Sequence, residues 1–110
     1  MDIYVGRGKK EKDFINLVEN LKCISTKEQL LNSGFTNYNK PYLYLHKNID
    51  KKYDITFNMT LYAKSLEIKD IMIMDEDFGQ PYLVTEKVFE ESKKIIDWLI
   101  DVGLFSKKVV

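Results

Sequence analysis

The sequence has few of the residues that make disulfides, metal sites and phosphate contacts. Its 110 residues include one cysteine and one histidine, and arginine occurs only as Arg7. Cys23 has no partner for an internal disulfide, which favours a reducing compartment, and we expect a cytoplasmic protein. One cysteine and one histidine are too few ligands for a zinc site. No apolar run reaches the roughly 18 residues of a membrane span, and the first five residues are too short for a signal peptide.

The chain also lacks an excess of either charge. Its formal net charge is zero, which removes the strongest general argument for nucleic-acid binding. The distribution is uneven, because residues 1–47 hold eight basic and five acidic residues, whereas residues 75–110 hold five lysines and eight acidic residues. Arginine is favoured for bidentate contacts to phosphate and bases, so its scarcity weighs further against such a role.

No motif identifies a catalytic centre or a cofactor. GxSxG, HExxH and CxxC are absent, and the Gly6–Gly8 turn lacks the spacing of a phosphate-binding loop. Cys23 and His46 form a nucleophile and base only if the fold brings them together. The carboxylates of Asp70 and Asp75–Asp77 do not follow the calcium-loop pattern. We therefore expect no cofactor, no metal and no catalysis.

The strongest positive signal is a strict alternation of apolar and polar residues from Asp54 to Ala63. It predicts a central antiparallel strand with one buried and one polar face. Tyr42 to His46 alternates in the same way. In Leu66 to Met74 the alternation breaks near Lys69-Asp70, where one extra residue would return Ile71 and Ile73 to the buried face, and this predicts a β-bulge.

Helical spacing of apolar residues predicts three helices. The first runs from about Lys9 to Cys23. The second begins at Ser25, which forms a capping box with Glu28, and ends at Gly34. The third and longest lies between the N-cap Thr85 and Gly103.

These elements predict a single α+β domain over residues 1–110. Two N-terminal helices precede a three-stranded antiparallel meander, with Ile3–Val5 as a candidate fourth strand, and a long C-terminal helix packs on the sheet. Residues 1–8 and 106–110 are candidates for flexible ends.

The polar face of the predicted sheet is the main candidate site. It carries Tyr42, Tyr44, His46, Thr56, Asn58, Thr60 and Tyr62. Tyrosines and amides on a rigid sheet can form a protein-binding hot spot or stack bases. The alternative is that a helix or the N-terminal segment covers them while their hydroxyls reach solvent.

The leading hypothesis is a small cytosolic, non-catalytic protein-binding module: an inhibitor, an immunity-type protein or a regulator of the kind that mobile elements encode. Its candidate contacts are Tyr42, Tyr44, His46, Asn58, Tyr62, Asp75, Glu76, Asp77 and Trp98. The alternative is a nucleic-acid-binding accessory protein that uses the tyrosines and Arg7, Lys9, Lys10 and Lys12. A third hypothesis is an enzyme that uses Asp and Tyr side chains. Homodimerisation through an edge strand or Trp98 is also open.

Overall fold

A computed structural model describes residues 1–108, and these form an α+β fold with three helices and a mixed sheet. The elements are β1 (Asp2–Tyr4), α1 (Glu11–Val18), β2 (Leu21–Cys23), α2 (Lys27–Asn32), β3 (Tyr42–Asp50), β4 (Ile55–Tyr62), β5 (Ile68–Asp75), β6 (Gln80–Pro81), α3 (Glu86–Asp101) and β7 (Phe105–Lys107). Of the predicted flexible end 106–110, residues 109 and 110 lie outside the described part. No helix within residues 1–108 is long and apolar enough to cross a bilayer.

The main sheet has the strand order β1-β5-β4-β3, and β6 pairs with β5. β3, β4 and β5 run antiparallel, as predicted for the meander. β1 joins the outer edge of β5 in parallel, with Asp2 opposite Asp70, so the sheet is mixed rather than purely antiparallel. A parallel pair needs a long connection, and the chain between β1 and β5 provides one.

The apolar side of β4 forms the centre of the core. Ile55, Phe57, Met59 and Leu61 are all completely buried. The buried side chains of α1, α2 and α3, among them Phe14, Leu30, Ile96 and Leu99, belong to the same core. The three helices therefore pack on one side of the sheet.

The predicted bulge in β5 is confirmed. Thr60 of β4 faces Asp70, but the next residue, Leu61, faces Ile68, so Lys69 is the extra residue. Ile71 is consequently returned to the buried face, where it is completely buried.

The first helix is shorter than predicted. It ends at Val18, because Glu19 is extended and Asn20 adopts a left-handed conformation with φ 65°. Leu21–Cys23 then forms β2, which pairs antiparallel with β7. Leu21 is buried, as its apolar side chain suggests, but it lies on a strand and not on the predicted helix.

The cap of the second helix lies one residue later than predicted. Thr26 is the N-cap and forms the capping box with Gln29. The hydroxyl of Ser25 instead donates to the carbonyl of Leu104 at 3.1 Å, which ties this turn to the chain after α3. Gly34 has φ 113° just after α2, as expected of a helix terminator.

The Gly6–Gly8 turn packs against the segment before α3. The amide of Gly6 donates to the carbonyl of Tyr82 at 2.8 Å, and that of Lys10 donates to the carbonyl of Val84 at 3.1 Å. A Cβ atom on Gly8 would lie only 2.5 Å from the carbonyl oxygen of Val84. These two amides are therefore used inside the fold and are not free to hold a phosphate.

Substitution Gly8→Ala should lower the free energy of unfolding by about 1–3 kcal/mol, because the new methyl group overlaps backbone atoms of Val84. Urea denaturation followed by the fluorescence of Trp98 measures the effect. Lys9→Ala, at an exposed neighbouring position, is the control and should change stability by less than about 0.5 kcal/mol. Equal stability of the two variants would contradict this packing.

An ion pair joins the end of β3 to α3. The ammonium of Lys87 lies 3.3 Å from Oδ2 of Asp50, and Oδ1 accepts from the amides of Lys52 at 3.1 Å and Tyr53 at 3.4 Å. Burial alone would raise the pKa of Asp50, but the hydrogen bonds from Lys87 and from the two amides together hold this pKa below its usual value of 3.8.

A carboxyl with a lowered pKa in the folded state stabilises the fold above its unfolded pKa, and this contribution is lost as the pH falls through the folded pKa. Asp50→Asn should therefore lose less stability on acidification below about pH 4 than the parent does. Urea denaturation across this pH range measures the slope, with Asp101→Asn, at an exposed position on α3, as control. Parallel curves for Asp50→Asn and the parent would contradict the assignment.

Candidate functional site

The sheet face opposite the core is the candidate site, and we call it the tyrosine face. The strand registers place eleven side chains of β3, β4 and β5 on it: Tyr42, Tyr44, His46, Asn48, Thr56, Asn58, Thr60, Tyr62, Asp70, Met72 and Met74. The core that contains the buried residues of all three helices includes no side chain from this face. Within residues 1–108 the helices therefore do not cover this face. Tyr62 is 41% exposed, whereas Thr56, Thr60 and Asp70 are buried.

Four tyrosines form a continuous aromatic cluster on this face. The ring of Tyr38 stacks on that of Tyr44 with centroids 4.7 Å apart. Tyr42 lies 6.1 Å from Tyr44 and 5.9 Å from Tyr62 between centroids. Tyr38 was not among the predicted site residues, because it lies in the loop before β3, where no periodicity reports its orientation.

A chain of hydrogen bonds crosses the face. Nδ1 of His46 lies 2.6 Å from Oδ1 of Asn58, whose Nδ2 donates to Oγ1 of Thr56 at 2.9 Å. The hydroxyl of Thr56 donates to Oε1 of Glu76 at 2.6 Å. Since the amide group of Asn58 donates to Thr56, its oxygen is the acceptor for His46, and Nδ1 of His46 carries a proton. The chain holds these side chains in fixed positions.

The bulge places an ion pair beside the tyrosines. The ammonium of Lys69 lies 3.2 Å from Oδ2 of Asp70 and 5.6 Å from the centroid of Tyr42. The hydrogen bond to Asp70 raises the pKa of Lys69. The other carboxylate oxygen of Asp70 is buried and has no hydrogen-bond partner among residues 1–108. The sequence break at Lys69-Asp70 predicted the bulge but not this pair.

A depression of about 450 Å³ lies at the β3 side of the face. Its lining includes Tyr38, Tyr44, His46, Asn58 and Met72. Aromatic rings, a thioether and hydrogen-bonded polar groups therefore line the depression.

The structure brings together only part of the predicted site. Tyr42, Tyr44, His46, Asn58 and Tyr62 share the tyrosine face, and Glu76 reaches it through Thr56. The other three predicted residues, Asp75, Asp77 and Trp98, take no part in this cluster.

Oδ1 of Asp75 accepts from the amides of Asp77 at 3.1 Å and Phe78 at 3.3 Å, so Asp75 shapes the turn after β5. Trp98 lies on α3, on the core side of the sheet, where the ammonium of Lys47 is 5.2 Å from its ring centroid. Asp75 and Trp98 therefore lie outside the tyrosine cluster.

The basic N-terminal residues are partly engaged with the rest of the fold. The ammonium of Lys10 lies 3.4 Å from a carboxylate oxygen of Asp13 and 5.6 Å from the ring centroid of Phe89. Arg7, Lys9 and Lys12 are exposed. The run is thus not a continuous array of free cations.

The structure does not pair the cysteine with the histidine. Sγ of Cys23 contacts the hydroxyl of Ser25 at 3.4 Å, whereas His46 binds Asn58. Residues 1–108 contain no group of three or more His, Cys, Asp or Glu side chains placed to hold a metal ion.

Comparison of the chain with models of protein families, with curated proteins and with solved structures found no match. The function proposed below therefore rests on the geometry and chemistry of the tyrosine face.

Proposed function

We propose that this chain is a small, non-catalytic protein-binding module that acts as an inhibitor or regulator of its partner. The observation that carries the proposal is an aromatic and polar sheet face that the helices leave open. Tyrosine is enriched in interfaces because its ring offers a large contact area and its hydroxyl offers a hydrogen bond. The cluster of Tyr38, Tyr42, Tyr44 and Tyr62 has this character.

The rigidity of the face supports the same proposal. Hydrogen bonds hold His46, Asn58 and Thr56 in fixed positions, and the strands beneath them belong to the central sheet. A surface that is already ordered loses little side-chain entropy when a partner binds. The contacts made there can then contribute to affinity.

The charges on this face favour a protein over a nucleic acid. Lys69 and Asp70 pair with each other at 3.2 Å, and the remaining charged group beside the tyrosines is the carboxylate of Glu76. Nucleic-acid binding depends mainly on lysine and arginine contacts to phosphate, which the carboxylate of Glu76 would oppose.

The double variant Tyr44→Ala/Tyr62→Ala should lose the partner while the domain stays folded. Removal of two hot-spot tyrosines costs about 2 kcal/mol or more, which is roughly a thirtyfold loss of affinity. Tagged protein is used to capture partners from lysate of its source, with and without nuclease, and mass spectrometry reads the result. Circular dichroism checks that each variant is folded.

Tyr53→Ala is the matched control, because Tyr53 is an exposed tyrosine in the turn between β3 and β4. The proposal expects a stoichiometric, nuclease-resistant protein that binds the parent and the control but not the double variant. Equal capture by all three proteins would show that the tyrosine face does not bind the partner. Loss of every partner after nuclease treatment would contradict the protein-binding function itself.

A further inference from the structure

β3 is the last strand at one edge of the sheet, and a second segment covers only part of its outer side. Thr36 pairs with Tyr44 in both directions, with N–O distances of 2.9 Å. The chain before Thr36 turns away from β3 at Gly34, the residue that terminates α2. Beyond Tyr44 the outer side of β3 is therefore uncovered within residues 1–108.

The uncovered part presents an ordered row of backbone donors and acceptors. In an antiparallel strand, alternate residues direct both backbone groups to the same side. Since those of Tyr44 point outward to Thr36, those of His46 and Asn48 also point outward, and neither makes a further backbone bond among residues 1–108. Such a row is a template for another strand.

The side chains of these two residues do not occupy the edge. Both lie on the tyrosine face, where His46 binds Asn58 at 2.6 Å and Asn48 donates to Oδ1 of Asp54 at 3.0 Å. A strand that pairs with this edge would therefore reach the backbone groups of His46 and Asn48 without displacing their side chains.

Concave surfaces flank this edge on both sides of the sheet. The depression on the tyrosine face lies on one side. On the core side is a groove of about 350 Å³, whose lining includes Lys47, Ile49, Lys94, Ile95 and Trp98. Successive side chains of an extended segment point to opposite sides, so a strand added here would place alternate side chains in the two concavities.

We propose that the edge of β3 at His46–Asn48 binds an extended segment of the partner protein, and that this segment carries an acidic residue opposite Lys47. The inference rests on the proposed function and names the part of the partner that binds. Lys47 faces the core-side groove beside Trp98, and no carboxylate lies within salt-bridge distance of it among residues 1–108. Lys94 and Glu91 line the same groove and pair with each other at 3.1 Å, so the charge of the groove that lacks a partner among residues 1–108 is that of Lys47.

The same lysine disfavours a second copy of this chain as the occupant. The two-fold antiparallel pairing that matches His46 of one copy with Asn48 of the other places Lys47 directly opposite Lys47. Cβ atoms of directly opposite residues lie about 4.5–5.5 Å apart, and like charges at that separation destabilise the pair. An acidic residue on a different protein turns this repulsion into attraction.

The test uses two synthetic peptides as probes, Thr-Val-Glu-Val-Thr and Thr-Val-Lys-Val-Thr, each acetylated and amidated. They are titrated into the ¹⁵N-labelled chain and followed by NMR. The glutamate peptide should shift the amide signals of His46 and Asn48 and slow their hydrogen exchange. It should bind about fivefold more tightly than the lysine peptide.

Two variants sharpen the test. Lys47→Glu should reverse the preference between the peptides. Asn48→Pro removes the outward N–H and should weaken binding of the glutamate peptide more than Asn48→Ala, which keeps that N–H.

Absent shifts at His46 and Asn48 up to the solubility limit of the glutamate peptide, or equal affinity for both peptides, would overturn the proposal. Shifts of these amides with protein concentration alone would assign the edge to a second copy and overturn it as well. If the edge fails this test while Tyr44→Ala/Tyr62→Ala still loses the partner, the proposed function stands without the strand. If the edge passes this test but Tyr44→Ala/Tyr62→Ala still captures the partner, the edge remains the proposed binding site and the tyrosine face does not.

Discussion

The helices and the other strands are arranged around the buried apolar side of β4. Phe57, Met59 and Leu61 are completely buried, and full burial of such a side chain stabilises the fold by about 1.5–3 kcal/mol. Every helix contributes to that same core, so the helices lie on one side of the sheet. The opposite side is consequently not needed for the core and can carry tyrosines and polar groups.

The bulge at Lys69 makes this division possible in the neighbouring strand. Without the extra residue, Ile71 and Ile73 would leave the core side, and Met72 would take their place. The bulge also sets Asp70 on the tyrosine face and Lys69 beside its tyrosines. A single irregularity thus serves both the core and the candidate site.

Local patterns predicted the parts of the fold that repeat with a short period. The strand β4, the bulge, the long helix α3 and the shared face of Tyr44 and Asn58 all follow from alternation or helical spacing within about ten residues. Pairings between distant segments did not show in the sequence. β2 and β7 are three residues each and lie far apart along the chain, and β1 is separated from β5 by α1, β2, α2, β3 and β4. The stacking of Tyr38 on Tyr44 depends on the same kind of long-range contact.

Three methionines report whether the tyrosine face is open to solvent. Met59 is buried in the core, whereas Met72 and Met74 are partly exposed on the tyrosine face. In protein labelled with ¹³C at the methionine methyl groups, an inert, soluble gadolinium chelate relaxes methyl signals according to their access to solvent. The structure predicts strong relaxation of Met72 and Met74 and little relaxation of Met59. Equal protection of all three methyl groups would show that the face is covered and would contradict the account.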